Sequence, residues 1–303
     1  MESQGQDGAR ARLAGAVWML LSGLAFVGVN GVVKHLGQDL PAAQSAFVRF
    51  AFGAVFFLPM LPGILRSGLP GRVWRLFGWR AALHVAAVVF WFHAMARVPV
   101  AEMSAIAFLN PVIVLVIAGL MLGERMGLRQ VGVVLAALAG AALVLRPGFR
   151  EVTEGHLSQI AATLCFASSY ILAKRLASLA PASAVIAVLS VGVTLGLFPL
   201  ALRVWQPISL HEVAWLALVA GLATAGHYAM ARAFAAAPLA TTQPVTFLQI
   251  VWSTILGAAV FGEAVDPFVL LGGATIIAAV SLNTWAEQRQ GTAPRAAAPV
   301  AEG

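Results

Sequence analysis

Charged residues are scarce in this sequence. Asp, Glu, Lys and Arg together make up 10% of the 303 residues, whereas soluble proteins contain about 25%. Hydrophobic residues account for 60%, and the mean hydropathy is +0.89. This composition excludes an ordinary soluble domain and indicates a chain that folds within a membrane.

Cysteine is almost absent, since Cys165 is the only one and lies in an apolar stretch. A single cysteine excludes a disulfide framework and a cysteine-based metal site. His211 and Glu212 begin like the H-E-x-x-H zinc motif, but Trp215 stands where the second histidine is needed. We therefore predict no metal, no cofactor and no enzymatic activity. The net charge of +7 is assigned to membrane orientation and not to a nucleic-acid partner.

Carboxylates are missing from the middle of the apolar stretches. All twelve acidic residues fall at the ends of these stretches, in loops or in the tails. Proton-driven carriers commonly use a buried Asp or Glu as a relay, because burial moves its pKa toward the working pH. The sequence therefore favours a facilitator driven by the substrate gradient, or a relay through histidine; sodium coupling stays open. We predict that flux survives collapse of the proton gradient.

The apolar residues occur in blocks separated by short loops. A helix needs about 20 such residues to cross about 30 Å of hydrocarbon. The sequence predicts an all-α polytopic membrane protein whose ten spans lie at 13–33, 42–61, 76–96, 102–122, 128–146, 156–175, 183–202, 212–232, 240–260 and 267–286.

Basic residues are distributed unequally between the two sides of these spans. Thirteen of the nineteen fall on the side of the N-terminus, five fall on the other side, and Arg49 lies within the second span. Basic loops stay in the cytoplasm. The sequence thus predicts a bacterial-type inner membrane protein with a cytoplasmic N-terminal segment at 1–11 and a disordered cytoplasmic tail at 289–303.

The chain contains an internal repeat. Phe108-Leu109 and Gly123-Glu124 recur as Phe247-Leu248 and Gly262-Glu263 at an offset of 139, and Lys34 recurs as Lys174 at an offset of 140. The predicted halves, 12–146 and 154–288, hold five spans each. Because five is odd, the second half enters the membrane from the opposite side, which is typical of transporters that work by alternating access. An inverted-repeat channel is the alternative.

These features resemble a known family. The stretches Leu122-Gly123-Glu124 and Phe261-Gly262-Glu263, together with Arg49 in span two, are similar to the drug/metabolite transporter superfamily, and within it to the EamA-type family, which includes YddG-like amino-acid exporters. The second half departs from the pattern, with Ile250 in place of Pro111. The resemblance implies an exporter of small metabolites, with amino acids the first expectation and a nucleoside-type compound or S-adenosylmethionine the alternative, acting as a monomer in the lipid bilayer.

Arg49 is the one permanent charge within a predicted span, about seven residues from its start. Burying an arginine in a membrane costs about 2.5–3.5 kcal/mol on insertion scales unless it is paired or hydrated. Binding a substrate carboxylate is the functional interpretation. A bridge to helix-end carbonyls, or snorkelling to the surface, is the structural one.

Other polar and aromatic side chains also fall inside the spans. Histidines could bind a substrate or carry a proton, aromatic rings could line a pocket, and amides are expected to face inward because lipid cannot satisfy them. Simple packing or bonding to backbone is the alternative for each. The residues predicted to line a central cavity are Trp18, Asn30, Arg49, His84, Trp91, His93, Tyr170, His227 and Gln249.

Two glycine features are predicted to be structural. Gly123-Glu124 and Gly262-Glu263 precede spans five and ten, where a carboxylate suits the positive end of a helix dipole. Gating by contact between the two halves is the alternative for these glutamates. Small residues spaced by four in span five, Gly132, Ala136 and Gly140, form a stripe where another helix can approach closely.

Overall fold

The structure is a computed structural model that describes residues 2–37, 40–110, 112–114, 116–117, 128–149, 151–177, 179–236, 245 and 248–291. These residues form helices joined by short loops. Gly123 and Glu124, from the predicted repeat motif, lie outside the described residues.

The first half contains six of the helices. They are α1 (Glu2–Leu36), α2 (Ala42–Val55), α3 (Leu61–Leu65), α4 (Gly71–Met95), α5 (Val100–Ala107) and α6 (Leu128–Leu145). The second half contains α7 (Glu154–Ala177), α8 (Ala182–Arg203), α9 (Leu210–Ala236), α10 (Leu248–Phe261) and α11 (Pro267–Gly291).

Among the described residues, six helices are long and apolar enough to cross a membrane. These segments are Leu13–Leu36, Gly71–Met95, Leu128–Leu145, Glu154–Ala173, Ser183–Arg203 and Leu210–Met230. A bent pair raises the number to seven if it is one span, and shorter apolar helices occupy Val100–Val114, Leu248–Phe261 and Pro267–Asn283. The protein is thus helical and polytopic, as predicted, while the count of ten spans stays a prediction.

The predicted second span differs from a single straight helix. Its first part, α2, is followed by a 3₁₀ turn at Leu58–Met60 and by α3, and the two parts meet at 57°. Pro59 and Pro62 have no N–H to donate to the carbonyls of the preceding turn, and a proline in the interior of a helix favours a kink or a break there. The apolar stretch also continues to Leu65, beyond the predicted end at residue 61.

The helices at the two ends of the chain extend beyond the predicted spans 13–33 and 267–286. The first helix begins at Glu2, so the helix extends through the predicted segment 1–11. The last helix ends at Gly291, past the predicted start of the tail at residue 289. Residues 292–303 lie outside the described residues.

Each half packs mainly against the other half. The main helix contacts join α1 with α9, α4 with α7, α2 with α8, α5 with α10 and α6 with α11. When the predicted spans are numbered within each half, the first span of either half packs on the third span of the other. The second, fourth and fifth spans each pack on the equivalent span of the other half. This exchange is the pairing expected of two inverted copies related by a two-fold axis.

The contact between α6 and α11 depends on glycine. A Cβ at Gly140 would lie 2.6 Å from the carbonyl oxygen of Gly272, and a Cβ at Gly272 would lie 2.5 Å from that of Gly140. Gly132, in the same predicted stripe, has open space at its Cβ position. The close approach therefore uses one end of the stripe.

The ends of the bundle need names. The described residues of the loops at 37–41, 96–99, 146–153, 204–209 and 262–266 form one end, the distal face. The opposite end, where the first span begins near Leu13, is called the N-terminal face. By the basic-residue pattern the N-terminal face is predicted to be cytoplasmic.

Candidate functional site between the two halves

Aromatic and basic side chains from five helices meet in the interior of the bundle. Helices α1, α2 and α4 of the first half and α7 and α9 of the second half each contribute at least one. We call this set the central cluster: Phe26, Arg49, Phe50, Arg80, His84, Phe166, Ser169, Tyr170 and His227.

His84 lies at the middle of this cluster. Its ring contacts Phe50 edge-on at a centroid distance of 6.0 Å and Phe166 at 5.1 Å. Its Nδ1 lies 3.3 Å from the hydroxyl of Ser169. Tyr170 extends the ring surface, because it stacks on Phe166 at 6.4 Å with 18° between the planes. His84 is therefore enclosed by rings from both halves.

His227 adds a second imidazole from α9. Its Nδ1 lies 2.7 Å from the carbonyl of Ala223, and since a carbonyl only accepts, Nδ1 carries the hydrogen. Nε2 of the neutral ring is then a hydrogen-bond acceptor. The ring meets Phe26 of α1 edge-on at 5.0 Å. An acceptor nitrogen and an aromatic edge thus lie side by side.

Arg49 faces the interior of the bundle. Its guanidinium carbon lies 4.2 Å from the ring centroid of Phe50, and its charge acts on both His84 and His227. Within the described residues no carboxylate or carbonyl bonds to it. The bridge to helix-end carbonyls that was considered for Arg49 is therefore not formed within the described residues, while substrate binding and snorkelling both stay open.

Arg80 was not predicted as a site residue. Because it lies near the start of α4, sequence reasoning counted it among the basic residues of the cytoplasmic side. Its side chain is buried, one terminal nitrogen donates to the carbonyl of Val185 at 2.8 Å, and Nε is buried without a hydrogen-bond partner. The charge acts on His84 and Tyr170. The available signal was its position four residues inside the predicted span 76–96, where an arginine in lipid is costly.

Several predicted cavity residues lie elsewhere. Trp91 packs against the hydrophobic core with its ring 5.1 Å from that of Phe92. His93 lies at the distal face, 3.6 Å from the carboxylate of Glu154. Trp18 lies toward the N-terminal face, beside Tyr228 of α9 at 6.1 Å.

Two further predicted residues make no contact with the central cluster that the structure describes. Asn30 is buried in α1, and Gln249 is half-buried at the start of α10. Of the nine predicted residues, four therefore come together: Arg49, His84, Tyr170 and His227. The role of these four in binding stays a prediction.

An ion pair joins the two halves at the distal face. Nζ of Lys34 lies 2.5 Å from a carboxylate oxygen of Glu263, and both side chains are mostly buried. Lys34 also donates to the carbonyl of Val98 at 2.9 Å, while Glu263 accepts from the N–H of Val100 at 2.9 Å. Glu263 thereby accepts a hydrogen bond from the N-terminus of α5, a helix that belongs to the other half.

Other polar contacts also cross between the halves at the distal face. They join Arg97 to Glu154, Arg146 to Asp266, Gln44 to Gln206, Ser104 to Ser253 and Glu102 to His156. All of them lie at or near the loops of that face. The distal face is therefore closed by contacts between one half and the other.

The pair formed by Glu102 and His156 is buried and was not predicted. The His156 ring accepts the N–H of Thr153 at Nδ1 over 3.0 Å, so its Nε2 carries the hydrogen toward Glu102 at 2.8 Å. Sequence reasoning treated Glu102 as a span-end residue. Its partner came from the other half of the chain, which a single sequence does not reveal.

Comparison with known proteins decides the family. The sequence model of the EamA-like transporter family matches residues 13–146 and, a second time, residues 153–285. The chain belongs to the EamA-like transporter family. The expected membership of the drug/metabolite transporter superfamily is thereby confirmed, and this EamA-like protein is a membrane transporter of small metabolites. Its family consists of transporters, which agrees with the prediction that it is not an enzyme.

Named relatives extend over almost the whole chain. The EamA-like protein is 30% identical over 287 residues to a riboflavin transporter of Vibrio cholerae serotype O1, covering 92% of this chain and 95% of that one. It is 24% identical over 284 residues to an S-adenosylmethionine uptake transporter of Rickettsia prowazekii, covering 93% and 96%. One solved crystal structure superposes with a TM-score of 0.54 at 20% identity, covering 93% of this chain and 99% of that chain, and supports the fold.

Proposed function

We propose that the protein is a carrier that moves a flat heteroaromatic metabolite across the membrane by alternating access, with riboflavin as the first candidate. The observation that carries the proposal is the position of His84, enclosed by Phe50 and Phe166 between the two halves. The riboflavin transporter of Vibrio cholerae, at 30% identity, supports the same substrate class.

The central cluster has the composition of a site for a planar ring. Small-molecule sites are mostly apolar and aromatic, with a few polar groups that fix orientation. The stacked rings of Phe166 and Tyr170 offer an apolar face, and aromatic pairs contribute about 0.5–1.5 kcal/mol beyond area burial. Ser169, His84 and Nε2 of His227 offer hydrogen bonds to the edge of a heterocycle.

The contacts at the distal face support alternating access. The Lys34–Glu263 pair joins the two halves at the distal face. Tyr170 of the central cluster is nevertheless 49% exposed, so the cluster is accessible from outside while the distal face is held closed. Opening the distal face requires the Lys34–Glu263 pair and its neighbours to separate. A rocking of the first half against the second would exchange this closure for one at the N-terminal face.

Amino acids are the second candidate, and they were the first expectation from sequence. The observation that favours them is Arg49, whose guanidinium is suited to a substrate carboxylate. Export as the direction of transport, and cytoplasmic positions for both termini, belong to this proposal as well. The alternative expectation of a nucleoside-type compound or S-adenosylmethionine corresponds to the relatives' substrates.

Counterflow tests the proposal. Purified protein in proteoliposomes preloaded with unlabelled riboflavin is expected to accumulate labelled riboflavin transiently, and protein-free liposomes are the control. S-adenosylmethionine and aromatic amino acids are tested in parallel. Flux of amino acids without flux of riboflavin would replace the first candidate by the second. Flux without stimulation by internal substrate would indicate a channel.

A further inference from the structure

The central cluster has an imbalance of charge. Arg49 lies over the ring of Phe50, which contacts His84, and Arg80 lies one turn before His84 in α4. Both arginines carry a permanent positive charge. In the part of the chain that the structure describes, every ion pair between side chains lies at the distal face, and none involves either arginine. Among the described residues, no carboxylate therefore balances the positive charge of the cluster.

Arg49 is the less satisfied of the two arginines. Arg80 donates a hydrogen bond to a main-chain carbonyl. The described contact of Arg49 is with the face of the Phe50 ring, and its charge also acts on the imidazole of His227. Guanidinium groups carry five hydrogen-bond donors in a planar fork that matches carboxylate and phosphate groups. A negatively charged group of a ligand would supply the hydrogen-bond acceptor that the described residues do not give to Arg49.

We infer that the central cluster binds an anionic group of its substrate and that Arg49 is the residue that contacts this group. Among flat heteroaromatic compounds, the preferred one is then a carboxylate or phosphate ester and not neutral riboflavin itself, with the ring against Phe166 and Tyr170 and the anion toward α2. The inference rests on the proposed function, because it assumes that the cluster binds the substrate. It also excludes cationic substrates, which two arginines would repel.

Ligand pairs that differ only in charge test the inference. Riboflavin and riboflavin 5′-phosphate share one ring system, and so do indole-3-acetate and tryptamine, of which the first is an anion and the second a cation. Binding is measured as thermal stabilisation of the full-length protein in detergent, and transport as inhibition of counterflow. The wild type is expected to bind each anion at least about tenfold more tightly than its neutral or cationic counterpart.

Three variants assign the effect to Arg49. Arg49→Gln is expected to lose the preference for anions, with at least about tenfold weaker binding of riboflavin 5′-phosphate. Arg49→Lys keeps the charge and is expected to retain the preference with lower affinity, because the planar fork is lost. Arg203→Gln removes an exposed arginine at the end of α8 and is expected to behave as wild type.

The outcomes separate the inference from the proposed function. Counterflow of riboflavin with no preference for riboflavin 5′-phosphate or indole-3-acetate would overturn the inference and leave the proposed function intact. An anion preference that survives Arg49→Gln would also overturn it. Anion binding that depends on Arg49, without counterflow of any flavin, would uphold the inference and overturn the flavin proposal. Preference for only one of the two anions distinguishes phosphate from carboxylate.

Discussion

At the scale of single residues, the central cluster combines rings that bind flat surfaces with few groups that bind edges. Tyr170 has 49% of its surface exposed, and it stacks on Phe166 from the preceding turn of α7. An exposed side chain contributes little to folding, so its replacement changes binding without changing stability.

Replacing Tyr170 tests the stacking surface. Tyr170→Ala is expected to raise the KM for counterflow by about 2- to 10-fold, because about 0.5–1.5 kcal/mol of ring contact is lost. Tyr170→Phe keeps the ring and is expected to keep the KM close to wild type. The KM of riboflavin counterflow is measured for both variants, with the melting temperature as the control. An unchanged KM in Tyr170→Ala would remove this ring from the site.

Polar residues in apolar stretches were predictable as site candidates, while the rings around them were not. Arg49, His84 and His227 stand out because a charge or an imidazole in lipid is costly. Phe50 and Phe166 are two of seventeen phenylalanines, and any of them can pack a span. His93 fell outside because nine residues from His84 correspond to about 900° of rotation and 13.5 Å of rise, so it lies on the opposite side and nearer the distal face.

At the scale of helices, the packing of α6 on α11 is set by two glycines. A methyl group at Gly140 would meet the carbonyl of Gly272 and the side chain of Ile276. A methyl group at Gly132, two turns earlier in α6, would meet nothing within 4 Å. The two positions form a matched pair for substitution.

Gly140→Ala is expected to lower the free energy of unfolding by about 1–3 kcal/mol, because main chain must move to admit the methyl group. Gly132→Ala is expected to leave it unchanged or to raise it slightly, since alanine favours helix. Thermal unfolding in detergent measures both. Equal melting temperatures for the two variants would contradict this packing.

The helices themselves were largely predictable, and their interruptions were predictable only in part. Blocks of apolar residues gave the positions of the spans because lipid requires continuous helix. The bend after Val55 arises from Pro59 and Pro62. Pro62 follows the predicted end of the span at residue 61, whereas Pro59 lies inside the predicted span. The stripe of small residues predicted close packing, but it did not tell which glycine touches the partner helix.

At the scale of the whole molecule, the repeat predicts which helices correspond, and the pairing across the halves follows from it. Lys34 and Glu263 show where prediction stops. Both were noted as repeated residues, yet a single sequence does not say that the lysine of the first copy binds the glutamate of the second. The contact depends on how the halves lie together in one conformation.

Reversal of the Lys34–Glu263 pair tests closure of the distal face. Lys34→Glu and Glu263→Lys are each expected to destabilise the protein by about 1.5–3 kcal/mol, because a mostly buried charge loses its partner. The double reversal is expected to recover part of the loss. Recovery is incomplete because a lysine at 263 cannot accept the N–H of Val100.

Thermal unfolding of the two single variants and the double variant gives the coupling between the residues. Glu154→Gln is the control, because Glu154 pairs with Arg97 while 72% exposed, and such pairs contribute about 0–1 kcal/mol. Additive losses in the double reversal would show that the two charges do not act as a pair.

The contact between Gly140 and Gly272 has a mechanical consequence for the rocking of the halves. The main chains approach there closely because positions 140 and 272 carry no side chain, and only Val144 and Ile276 flank the contact, so few rotamers have to change when one helix rolls on the other. Interdigitated side chains would have to separate or change rotamer, and they would resist the roll. The helices α6 and α11 can thus roll on each other with little resistance. The pivot of the rocking motion is expected to lie at this crossing, away from the central cluster that the motion opens.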